Sequence, residues 1–80
     1  MKQKKISLKT VAEAKEFVNE ASKCDFDIDV CYNHVVIDAK SILGVLSLDL
    51  TRDLTVSWYG DDERFECFLE TKVAGSNSAA

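Results

Sequence analysis

The eighty-residue chain has a single histidine, three cysteines and no apolar run approaching the ~20 residues a membrane span requires. Cys24, Cys31 and Cys67 are odd in number, none stands in a C-x-x-C spacing, and only His34 could join them around a metal. A zinc or redox centre is therefore not expected. The thiols read instead as buried small hydrophobes in a reducing compartment. Basic charge is also short: ten Lys and Arg against fourteen Asp and Glu leave a net charge of −4, which opposes binding to phosphate backbones or anionic lipid. Lys2, Lys4 and Lys5 form the one cluster, and a few adjacent lysines read as a solvated end. The amino terminus passes from these lysines into strand-like alternation with no signal-peptide core, so a cytoplasmic protein without nucleic-acid or membrane partners and without cofactor or metal is expected. There is no internal repeat or linker. One domain over residues 1–74 is expected, followed by a patternless disordered tail, 75–80.

What is present is a regular succession of short periodic segments. Ile6 and Leu8 alternate with polar neighbours, predicting a strand over residues 4–9. Thr10-Val11-Ala12-Glu13 has the T-x-x-E form of a capping box, so a helix should open there. Val11, Ala14, Phe17, Val18 and Ala21 form its apolar stripe, and it should end near Lys23. Phe26, Ile28 and Val30 alternate with Asp25, Asp27 and Asp29, the pattern of a strand with one dry and one wet face. Tyr32-Asn33-His34 suits a tight turn, because asparagine tolerates positive φ, and the β-branched Val35-Val36-Ile37 completes a hairpin.

Asp38 and Ser41 bracket the start of a short apolar segment, Ile42 to Leu48, long enough for two helical turns. Leu54, Val56 and Trp58 alternate in a fourth strand over residues 54–59, which Gly60 breaks. Asp61 or Asp62 can cap a last helix with Phe65, Phe68, Leu69 and Val73 on one face. The order β-α-β-β-α-β-α with a central hairpin predicts an α+β fold, an open-faced sandwich whose antiparallel sheet is covered by helices on one face.

The run Ala39-Lys40-Ser41-Ile42-Leu43-Gly44-Val45-Leu46-Ser47-Leu48 resembles the K-S-I-(Met/Leu)-G-V-(Met/Leu)-S-L segment of the short second helix of HPr proteins, the phosphocarriers of the phosphoenolpyruvate-dependent sugar phosphotransferase system. The likeness extends back through Glu16-Phe17-Val18-Asn19-Glu20-Ala21 and forward to the fourth strand. It implies a four-stranded sheet in the order 1-4-2-3, which local patterning does not supply. The chain also departs from the family. Phosphate-carrying HPr proteins have a G-L-H-(Thr/Ala)-R-P loop before the first helix, whereas Leu8-Lys9 runs directly into the Thr10 capping box. His34 falls in the hairpin turn, where an exposed polar turn residue is the plainer reading. The chain is thus similar to a histidine-less HPr variant, a non-catalytic regulatory protein.

In the resembling motif the serine matching Ser41 is phosphorylated by the dedicated HPr kinase. A dianion at the first turn of a helix meets unpaired amides and the positive end of the dipole, and composition alone equally allows a plain capping serine. The resemblance also implies that Lys40, Ile42, Leu43 and Leu46 face protein partners such as HPr kinase or a catabolite regulator, since a short amphipathic helix can bury only one face. Asp49 adds charge beside that patch, where many family members have glycine. A monomer or weak dimer is expected. An active phosphocarrier using His34 or another residue, and a scaffold independent of phosphate, are the alternatives.

Overall fold

A computed structural model of the chain describes residues 1–73. The elements are β1 (Lys2–Ile6), α1 (Val11–Ser22), β2 (Ile28–Tyr32), β3 (Val35–Asp38), α2 (Ile42–Leu46), β4 (Leu54–Trp58) and α3 (Glu63–Glu70). The strands make one antiparallel sheet in the order β1-β4-β2-β3. The expected boundary at residue 74 and the tail 75–80 lie outside the described residues.

The alternation of each strand decides which face of the sheet is dry. Register pairs Ile6 with Leu54, Val30 with Val56 and Ile28 with Trp58, and all six side chains are buried. Ala14, Phe17, Val18 and Ala21 of α1, Val45 of α2, and Phe65 and Leu69 of α3 close over that face. Phe65 stands edge-on to Trp58 at 5.7 Å and tilted against Phe17 at 6.3 Å, so these rings join α1, α3 and β4. Truncating either phenylalanine to alanine should cost about 3–5 kcal/mol. The other face holds Gln3, Lys5, Asp29, Cys31, Val36, Thr55 and the buried Ser57, and no helix among the described residues covers it. One polar atom on the packed side has no partner among the described residues, the buried Trp58 Nε1.

Several boundaries differ from the sequence expectation for identifiable reasons. β1 spans Lys2–Ile6 rather than residues 4–9, because its ladder with β4 ends where Ile6 meets Leu54. Leu8 is still fully buried, from the connecting loop. β2 begins at Ile28, and Phe26 packs from the loop against Gly60, where a Cβ would lie 2.4 Å from the ring. β4 stops at Trp58, leaving Tyr59 exposed. Val11, expected on the inner stripe, is 53% exposed because it is the first helical residue and precedes the packed turn. Val73 lies beyond α3 and bridges to Ile6 instead of extending the helical face. Of the three thiols only Cys24 is buried; Cys31 is half-buried and Cys67 exposed.

The amino-terminal lysines also differ from a solvated end. Lys2 bonds to Asp61 and, at 2.8 Å, to Glu66, while Lys4 bonds to Glu70, so β1 is tied to α3 by charge. These partners are partly exposed, so solvent screens the pairs and each contributes little to stability. Among the described residues no helix is long and apolar enough to cross a membrane.

Candidate functional site

Two helix starts are the candidate positions, those of α1 and α2. At the first, the β1–α1 connection is only residues 7–10, and it contains neither histidine nor arginine. The Glu13 amide donates to Thr10 Oγ1 at 3.1 Å, and the Lys9 amide donates to Glu13 Oε1 at 3.0 Å. This is the expected capping box, except that the glutamate accepts from residue 9 rather than from the capping threonine itself. Its carboxylate adds a negative charge to the first turn, where the helix dipole would otherwise favour an incoming anion.

The second helix start is α2. Ser41 caps it: its Oγ accepts from the Gly44 amide at 3.2 Å, and the Val45 amide bonds to the Ser41 carbonyl at 2.9 Å. The residue is exposed. Just before it, Asp38 Oδ1 accepts from the Lys40 amide at 2.9 Å, shaping the turn out of β3. Lys40 Nζ donates to the Cys24 carbonyl at 2.9 Å, so this lysine is half-buried and binds the threshold of α2 to the end of α1.

On α2 itself Val45 is the buried residue, Ile42 and Leu46 are half-buried against the core, and Leu43 is 80% exposed. A large aliphatic side chain so fully in water, with two neighbours half in water, is the exposed apolar surface expected of this helix. Gly44 lets α2 lie on β3, since a Cβ there would come within 2.6 Å of Ile37 Cγ2. Asp49, whose carboxylate accepts from the Thr51 amide at 3.0 Å and lies 3.7 Å from Arg52, is held below the ordinary carboxylate range mainly by its Thr51 bonds.

His34 is exposed in the two-residue connection between β2 and β3, where Asn33 takes the expected positive φ of 56°. Register places that turn at the same end of the sheet as the start of α1, because Cys31 pairs with Thr55 and Ile6 with Leu54. Two to three strand spacings, about 10–14 Å, separate the hairpin from the end of β1. Sequence reasoning missed the links around Cys24: its Sγ lies 3.6 Å from Asp62 Oδ2, the cap of α3, and burial followed by the Asp62 charge pushes the thiol up to about 11. No local pattern announces a contact between positions so far apart in the chain.

The architecture is an open-faced α+β sandwich with a serine-capped short second helix. A family model described as the PTS HPr component phosphorylation site matches residues 11–67. Among solved structures, HPr-C-His from Thermoanaerobacter tengcongensis is similar with a TM-score of 0.75 and 29% identity, over 94% of this chain and 93% of that one. The phosphocarrier protein HPr from Bacillus anthracis str. Ames gives 0.69 and 28%, over 89% and 93%. The catabolite repression containing protein Crh of Bacillus subtilis, described as a domain-swapped intertwined dimer, gives 0.61 and 24% over 85% and 86%, a likeness of fold. The chain belongs to the HPr family of the phosphotransferase system. Members of this family are phosphocarriers, not catalysts, and work through other proteins of that system.

Proposed function

We propose that this chain is a regulatory protein-binding module of the phosphotransferase system that presents α2 to a partner and does not carry phosphate on histidine. The observation that supports this reading is the β1–α1 connection: four residues, no imidazole, and a first turn already holding the Glu13 carboxylate. A histidine carrier needs a nitrogen nucleophile at a helix start whose amides and dipole receive the phosphoryl group. Thr10 offers a hydroxyl that already accepts the Glu13 amide, in place of an imidazole nitrogen.

Ser41 is the position we assign to regulation by phosphorylation. It is exposed, and phosphate there adds ≈ −1.5 to −2 charge beside the apolar Leu43 and the half-buried Ile42 and Leu46. HPr kinase or a catabolite regulator is the fitting partner, in the cytoplasm, with no nucleic acid or lipid involved.

The test has two arms. Incubation with phosphoenolpyruvate and the first enzyme of the system should leave no acid-labile phosphate. Treatment with ATP and HPr kinase should label Ser41, with Ser41→Ala abolishing the label. A pull-down comparing wild type with Ser41→Asp and Leu46→Glu then separates the charge from the apolar patch.

A second reading, a phosphocarrier using His34, draws support from the position of that turn at the end of the sheet where α1 begins. An acid-labile, base-stable phosphate on His34 would establish it and reject the regulatory reading. Lack of label on Ser41 together with no phosphohistidine favours a scaffold independent of phosphate.

A further inference from the structure

The sheet has two edges of opposite character. β1, at one edge, carries Lys2, Lys4 and Lys5, and its last residue is bridged by Val73. Lysines on an edge strand oppose pairing with another chain. β3, at the other, reads Val35-Val36-Ile37-Asp38 with no lysine or proline, and Val35 and Val36 are 46% and 62% exposed. Nothing among the described residues pairs with its outer side.

We propose that β3 is a self-association edge, at which two copies of this chain pair antiparallel about a two-fold axis through Val36. The ladder fixes which groups face outward. Val35 pairs with Tyr32 across the two-residue turn, and the Ala39 amide bonds to the Ile28 carbonyl at 2.9 Å, so the odd-numbered residues bond inward to β2. By the same alternation the Val36 amide and carbonyl, the Asp38 amide and the His34 carbonyl point to the free edge.

Antiparallel pairing centred on Val36 matches these groups completely. The two Val36 residues exchange their amide and carbonyl, and each Asp38 amide meets the partner's His34 carbonyl. Centrings midway between residues oppose an inward-bonded residue to an outward one, and among those centred on a residue the side chains select Val36. The side chains agree with this register. Asp38 lies directly opposite Asp29 on the open face, and neither has an ion-pair partner among the described residues. Like charges so placed are destabilising. The pairing sets the partner's His34 opposite Asp38, where an imidazole N–H donates to the carboxylate in either protonation state. Such an interface is isologous and closes on itself, joining two four-stranded sheets into one. The edge is short, so the dimer is weak.

Sedimentation velocity on the full chain over a concentration series tests this. A reversible monomer–dimer equilibrium is expected, with the amide NMR shifts of Val36 and Asp38 moving with concentration. Val36→Lys should weaken the dimer about tenfold or more, while circular dichroism stays unchanged because the side chain is exposed. Val36→Thr should retain it. His34→Lys should strengthen association and His34→Asp weaken it. A monomer up to millimolar concentration overturns the proposal, as does a dimer indifferent to Val36→Lys, a dimer lost with Leu43→Glu instead, or His34 variants that shift together.

Discussion

Gly44 lies against Ile37 so closely that α2 and β3 share one contact surface: a Cβ on the glycine would stand 2.6 Å from Ile37 Cγ2. That methyl group sits on a β-branched side chain with little rotamer freedom. Gly44→Ala should therefore destabilise the protein despite alanine's better helix propensity. The overpacking cost of about 1–3 kcal/mol exceeds a propensity gain of about 1 kcal/mol. Urea denaturation should show a lowered midpoint for Gly44→Ala alone. Placed on an Ile37→Ala background, the same change should be neutral or stabilising.

Leu43 and Leu46 stand one turn apart on α2 yet should respond differently to charge. Leu43→Glu, at a site 80% exposed, should change stability by no more than about 0.5 kcal/mol. Leu46→Glu places a carboxylate at a half-buried position packed on the core, and should cost more than about 1 kcal/mol. Thermal melts distinguish the two. Leu43 is accordingly the cleaner probe of partner docking.

The legible parts of the fold are those where a local pattern has a single physical solution. Thr10 with Glu13, and Ser41 ahead of Ile42, mark helix starts because their side chains satisfy amides within three residues. Asn33 marks the hairpin for the same local reason. Strand order is not local, and it came from the likeness of residues 39–48 to a known helix. That Leu43 or Leu46 is exposed follows from so short a helix being unable to bury both sides, but which of the two is exposed does not. Contacts made across the chain were illegible. Lys2 with Asp61 and Glu66, and Lys40 with the Cys24 carbonyl, join residues whose approach only the assembled sheet dictates. The burial of Cys24 beside an exposed Cys67 is equally a matter of where α1 ends and how α3 turns.

Acid should act on the start of α3. Asp62 accepts from the Phe65 amide at 3.0 Å, which, chiefly, holds its carboxyl below the ordinary 3.8. Because the folded value is depressed, the stabilisation is full above 3.8 and disappears as pH falls from there through the folded value. Asp62→Asn keeps a capping acceptor without the charge, so its stability should change less between pH 5 and about pH 2 than that of wild type. Denaturation midpoints across that range provide the measurement.

The thiols should separate kinetically. Cys67 is exposed, whereas Cys24 is buried with its ionisation pushed up to about 11. At neutral pH a soluble disulfide reagent should label Cys67 first and Cys24 last, since only the thiolate attacks. Cys67→Ser should remove the fast phase, and addition of urea should merge the remaining ones.

The carboxylate that Glu13 lends to the opening of α1 gives this helix an anion of its own making. On the proposed reading, a histidine placed among residues 7–10 would meet that carboxylate at the helix opening, and a neutral residue at position 13 would leave the same amides free to receive an incoming anion.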